Sequence, residues 1–90
     1  KVGGLTYRIK VVKDKQLLAD GAWGKASGIT QTILLEVDCS VERFNQAFIH
    51  ETLHIVNSIY LTDRLKEEDI TPLAHGLHQV LECIGVRFVK

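Results

Sequence analysis

Two histidines and a glutamate lie in the middle of the apolar stretch AFIHETLHIVNSIY, residues 47–60. His50, Glu51 and His54 match the pattern H-E-x-x-H. On a helix, residues four apart lie one above the other, so both imidazoles can bind one metal ion. Glu51 is offset from His50 by about 100° and would lie beside that ion without binding it. The spacing therefore predicts a metal site on a helix.

The chemistry that this pattern predicts is hydrolysis of peptide bonds with the help of zinc. Zinc lowers the pKa of a bound water to about 7, which provides a nucleophile at neutral pH. Glu51 can take a proton from that water as a general base and pass it to a leaving amine. H-E-x-x-H is short, and it also occurs by chance in helices whose histidines are ordinary core or surface residues. The apolar helical setting favours the metal.

A catalytic zinc ion needs a third protein ligand. The extended pattern H-E-x-x-H-x-x-G-x-x-H is not met, because Asn57 and Tyr60 stand where its glycine and third histidine would be. The chain also lacks the methionine of a Met-turn. We therefore expect the ligand from a second helix, where Glu67 lies in line with two small residues on the flank of the apolar stripe. Glu68 and Asp69 stay open as alternatives.

Two more side chains are candidates for a role around the metal. His78 could donate to the oxyanion of a tetrahedral intermediate, orient a metal ligand through a hydrogen bond, or simply lie in the helix interface. Tyr60 is a candidate donor of the same kind, with packing as its alternative role. His75 and Glu68 point away from the apolar stripe of the second helix and are expected on the solvated surface. That stripe consists of Ile70, Leu73, Leu77, Val80, Leu81 and Ile84.

Three segments rich in β-forming residues come before the helices, at positions 5–12, 22–28 and 29–37. They predict a small, mostly antiparallel, three-stranded sheet. The third segment is β-branched and mostly apolar, so we expect it in the centre of the sheet or near its edge. An edge strand there could bind an extended peptide by β-addition.

The helical elements follow the strands. Ser40 can cap a helix over residues 41–60, which carries H-E-x-x-H. A second helix is expected over 67–83, with Pro72 in its first two turns, where proline is least harmful. Strands followed by two helices predict an α+β fold, with the sheet packed on both helices. The chain is expected to form one domain, residues 1–90.

Composition and charge limit the partners. The chain has 90 residues, 46% of them hydrophobic and only one proline, which indicates a globular protein. Eleven basic and eleven acidic side chains cancel, so neither nucleic acid nor an anionic membrane attracts the chain electrostatically. We expect a peptide or protein substrate, without nucleic acid or membrane. Cys39 and Cys83 are expected to be free thiols in a reducing compartment.

The stretches TILLEVDCS, FIHETLHIV and LKEEDITPLAHGLHQVLE resemble the small H-E-x-x-H proteins encoded by bacterial phages and prophages. The resemblance covers residues 32–81. In that family the second helix reads roughly Leu-x-Glu-x-x-Val-x-x-Leu-Ala-x-Gly-Leu. The corresponding residues here are Leu65, Glu67, Ile70, Leu73, Ala74, Gly76 and Leu77.

This resemblance implies a minimal zincin-like metallopeptidase of the gluzincin type. His50 and His54 would be zinc ligands, Glu51 the base and Glu67 the third ligand. It also implies the cytoplasm of a bacterial host cell and a phage-derived origin. Family members often carry tyrosine where His78 stands, so no role is transferred to His78. The alternative function is a non-catalytic, zincin-like binding module of phage origin.

Overall fold

Three strands and two helices make up the fold, which is α+β as predicted. A computed structural model describes residues 2–13, 17, 22–37, 39–86 and 88. The elements are β1 (Arg8–Val12), β2 (Gly24–Ser27), β3 (Thr32–Glu36), α1 (Val41–Tyr60) and α2 (Glu67–Cys83).

The sheet is mixed, which corrects the prediction of a mostly antiparallel one. β3 lies in the centre, between β1 and β2. It runs antiparallel to β2, with Ala26 beside Ile33, and parallel to β1, with Lys10 beside Leu34. A short turn at residues 28–31 makes β2 and β3 antiparallel neighbours, but alternation of side chains does not show on which side β1 pairs. The edge strand of this hairpin is therefore β2, and β3 is not available for β-addition.

The core joins the central strand to the first helix. Ile33 and Leu35, two residues apart on β3, point to the same side of the sheet and are buried. Phe44, Ala47 and Ile55 of α1 pack against them. Because these three residues fall on one face of the helix, the packing fixes the rotation of α1 and leaves its H-E-x-x-H stripe beside the sheet.

The first helix begins as predicted. Ser40 is extended at the N-cap, and its Oγ accepts the backbone N–H of Arg43 at 3.1 Å. Such a cap satisfies one of the N–H groups that the first turn leaves without a partner.

The second helix packs on α1 with a different face from the predicted apolar stripe. Ile70, Ala74 and His78, spaced four residues apart, are its buried residues. The small side chain of Ala74 allows the helices to approach closely, so the contact line runs through 70, 74 and 78. The predicted stripe is therefore wrong in part. Its exposed members are Leu73, Leu77, Val80 and Ile84.

Two further observations concern the cysteines and the helices. Within the described residues, neither Cys39 nor Cys83 forms a disulfide, as predicted. Within the described ranges, no helix combines the length and the apolar character that a membrane span requires.

Candidate metal centre

The two histidines of H-E-x-x-H point their ring nitrogens at each other. His50 and His54 are one turn apart on α1, and their Nε2 atoms lie 3.1 Å apart. Both rings are partly buried, because α1 is packed against the sheet on one side and against α2 on another. Two nitrogens are thus presented at one point on the side of the helix.

Glu67, the first residue of α2, completes the cluster. Its Oε1 lies 2.7 Å from Nε2 of His50, and its Oε2 lies 2.7 Å from Nε2 of His54. One ligand atom from each of the three residues lies within 4.8 Å of the other two. Of the three acidic candidates, Glu67 is the one that the structure brings to the histidines.

The other two acidic candidates lie elsewhere. Asp69 accepts the backbone N–H of Lys66 at 2.9 Å through its Oδ2 and so caps the start of α2. Glu68 is exposed. Neither belongs to the three-residue cluster.

The donor set fits a metal ion better than it fits a network of hydrogen bonds. Each Nε2 carries either one hydrogen or one lone pair, yet each faces two partners, the carboxylate and the other imidazole. If both His50 and His54 donate to Glu67, their two N–H groups confront each other across 3.1 Å. A cation at the centre would satisfy all three groups, and two imidazoles with one carboxylate form a known catalytic zinc set.

Glu51 lies beside this cluster, against the edge strand β2. The backbone N–H of Ala26 donates to its carboxylate. A Cβ added at Gly24 would lie 3.1 Å from Cγ of Glu51, so glycine at position 24 allows this close approach. Burial raises the pKa of the Glu51 carboxyl above its ordinary value of 4.5, and nearby Glu67 also raises it, against lowering by the two histidines and Ala26.

An open pocket of about 420 Å³ surrounds the cluster. His75 lines it and is exposed, as predicted. Arg43 also lines it, with its guanidinium 5.3 Å from the centre of the Trp23 ring. Helical projection could have indicated Arg43, which lies seven residues before His50 on the same face. The protein residues around the pocket are Ala22, Trp23, Gly24, Arg43, Gln46, Ala47, His50, Glu51, His54, Glu67, Ala74 and His75.

Two predicted candidates lie away from the pocket. His78 is 9% exposed, and its Nε2 lies 3.2 Å from Oε2 of Glu82 without a well-directed hydrogen bond. Tyr60 is 62% exposed, and its hydroxyl accepts the backbone N–H of Gly3 at 2.9 Å. The structure brings neither side chain to the cluster, so a role of either in transition-state stabilisation has no geometric support.

The fold and the cluster together define a small α+β protein with a candidate His-His-Glu metal centre. No protein-family model, curated protein or solved structure matches this chain. The function must therefore be argued from the site itself.

The burial of Glu51 predicts that a neutral replacement stabilises the metal-free protein. A raised pKa means that the folded state holds the proton more tightly than the unfolded state, so stability falls as pH rises above 4.5. Glu51→Gln should remove this loss and raise the free energy of unfolding by about 1 kcal/mol at neutral pH. Urea titrations with chelator present should show the difference at about pH 7 and its disappearance near pH 4. An equal gain at both pH values would contradict the explanation by charge burial.

Proposed function

We propose that the protein is a zinc-dependent metallopeptidase. His50, His54 and Glu67 bind the metal, and Glu51 is the general base. The observation that carries this proposal is the convergence of three donors in an open pocket, beside a partly buried carboxylate that is not one of them. A site that only binds metal needs the first three residues but has no use for the fourth.

The chemical roles divide between the metal and the protein. When bound, zinc supplies a Lewis acid that polarises a carbonyl oxygen and makes water nucleophilic near neutral pH. Glu51 takes a proton from the attacking water and passes it to the amine that leaves. The Ala26 N–H and the close approach of Gly24 hold its carboxylate in one orientation.

The edge strand β2 supports peptides as the substrate class. Within the described sheet β2 pairs only with β3. On its other edge the Ala26 N–H donates to Glu51, and the rest of that edge is available to an extended chain. A second pocket, of about 390 Å³, adjoins the first and shares Gly24, Glu51 and His54 with it. Substrate residues on either side of the scissile bond thus have space on both sides of Glu51.

The second pocket offers a substrate more polar surroundings than the first. Lys25 and Asp63 line it together with Ser58 and Tyr7. The first pocket instead offers the Trp23 ring with Arg43 above it. We infer different side-chain preferences on the two sides of the bond that is cut.

The setting follows from the resemblance to phage and prophage proteins. We propose that the protein acts in the cytoplasm of a bacterial host cell, on a peptide or protein substrate.

The test of the proposed function is cleavage of a random-sequence peptide pool, read by mass spectrometry. Cleavage should be present with zinc-loaded protein, lost with a chelator and restored by adding about one equivalent of zinc. A zinc-loaded protein that cleaves nothing in the pool would contradict the peptidase and leave a metal-binding protein.

A further inference from the structure

One buried side chain links the helix that carries the histidines to the segment that delivers Glu67. Asn57 of α1 is 4% exposed. Its Nδ2 donates to the carbonyl oxygen of Leu65 at 2.9 Å, and its Oδ1 accepts the N–H of Leu65 at 3.0 Å. We propose that Asn57 is a positioning residue of the metal centre, which holds Glu67 against His50 and His54. This inference rests on the proposed function.

The backbone of Asn57 organises the same connection. Its carbonyl oxygen accepts the N–H of Leu61 at 3.1 Å and that of Asp63 at 3.0 Å. Thr62 and Asp63 both adopt left-handed backbone conformations, with φ of 48° and 58°. Aspartate tolerates this conformation, but β-branched Thr62 does not, so the turn needs hydrogen bonds to hold it. Any residue at position 57 supplies the carbonyl oxygen, and the side-chain pair to Leu65 is the part that is specific to Asn57.

Packing of Ile70 and Ala74 fixes the body of α2 on α1, whereas the first turn, which carries Glu67, depends on the connection through Leu65. The Glu67 side chain is 63% exposed, so packing does not hold it. Thr71 donates to its Oε1 at 3.3 Å, but this contact lies within α2 and does not fix α2 relative to α1. The pair of hydrogen bonds from the Asn57 side chain to Leu65, here called the clamp, acts two residues before Glu67 and sets where α2 begins. A small shift there would separate the carboxylate from both histidines.

The position of Asn57 on α1 agrees with this role. It lies seven residues after His50, about 20° away around the helix. The clamp and the ligands therefore share one side of α1. Asn57 also occupies the position at which the extended H-E-x-x-H pattern has its glycine. The residue that departs from that pattern is thus the one proposed to position Glu67.

The chain contains a matched control at the other end of the same helix. Asn45 is 2% exposed and holds Phe88 by the same pair of hydrogen bonds. Its Nδ2 donates to the Phe88 carbonyl at 3.0 Å, and its Oδ1 accepts the Phe88 N–H at 2.6 Å. Loss of this clamp should destabilise the fold without moving Glu67.

Zinc affinity separates a positioning role from a purely structural one. Affinities of wild type, Asn57→Ala and Asn45→Ala should be measured by competition with a chromophoric chelator, at a temperature where circular dichroism shows each variant folded. We expect Asn57→Ala to bind zinc about 10- to 100-fold more weakly, and Asn45→Ala to bind it as wild type does. Should Asn57→Ala fail to fold, Asn57→Ser also removes the paired hydrogen bonds to Leu65 without burying a charge, and it should show a comparable loss.

A double variant tests whether Asn57 acts through Glu67. In a Glu67→Ala background, Asn57→Ala should weaken zinc binding little further, because the ligand that it positions is gone. Fully additive losses would overturn the proposal, and so would a wild-type affinity for zinc in folded Asn57→Ala.

A metal-free readout distinguishes failure of this proposal from failure of the metal site. In chelator-treated protein, the NMR signals of the His50 and His54 rings should change in Glu67→Ala, and in the same direction in Asn57→Ala but not in Asn45→Ala. If wild type binds no zinc, the proposed metal centre is wrong, and these ring signals still decide whether Asn57 positions Glu67. Unchanged ring signals in Asn57→Ala would refute the positioning role.

Discussion

Glu51→Gln is expected to lower peptide hydrolysis by about 10²- to 10⁴-fold, the usual contribution of a general base. The amide has nearly the shape of the carboxylate and can keep its place against Gly24. It cannot accept the proton of the attacking water. Zinc affinity should change little, because Glu51 is not among the three converging donors. The measurement is the initial rate on a cleaved peptide, with zinc content determined on the same sample.

The matched control for this change is Glu68→Gln, the same substitution at an exposed position of α2. It should retain the wild-type rate. If Glu51→Gln instead cleaves as well as wild type, Glu51 is not the base. If it keeps every biological effect of the wild type in cells while neither protein cleaves peptides, the non-catalytic binding module is the better description.

The two helices and the position of H-E-x-x-H on the first of them could be predicted because their sequence signals are local. Ser40 begins α1 through a hydrogen bond three residues away, and the H-E-x-x-H spacing matches a single helical turn. The choice of Glu67 over its neighbours depended on which face of α2 meets α1. Small residues at positions 71 and 74 indicated that face, since they allow close approach of the two helices.

The sheet and the surroundings of the site could not be predicted because they depend on non-local pairing. Alternation along β1 and β3 is compatible with either direction of pairing, so the parallel pair went unpredicted. Hydrophobicity also placed the contact face of α2 wrongly. Ala74 and His78 are buried there, whereas Leu73 and Leu77 are exposed.

Asn57 shows a second kind of limit. A buried asparagine in an apolar helix indicates that its amide has a partner, but sequence alone does not identify that partner. The clamp on Leu65 depends on the left-handed turn that follows α1. The residues of that turn predict it only in part, because Asp63 tolerates this conformation but Thr62 does not.

The metal itself gives the last large expected effect. His54→Ala should abolish stoichiometric zinc binding, because it leaves one imidazole and one carboxylate where a catalytic site needs three protein ligands. Elemental analysis after dialysis should find about one zinc per chain in wild type and close to none in the variant. His75→Ala is the matched control, since it removes an imidazole from the same pocket but outside the cluster.

The loss of zinc in His54→Ala, compared with that in His75→Ala, decides whether His50, His54 and Glu67 bind the metal. Zinc retained in His75→Ala and lost in His54→Ala would assign the ion to the three converging donors. Equal losses in both would indicate a different ligand set that includes His75. No zinc in wild type, even after zinc is added back, would mean that the close contacts of Glu67 with His50 and His54 are contacts between side chains that involve no metal. The peptidase proposal would then fall with the metal, because Glu51 would have no activated water to deprotonate.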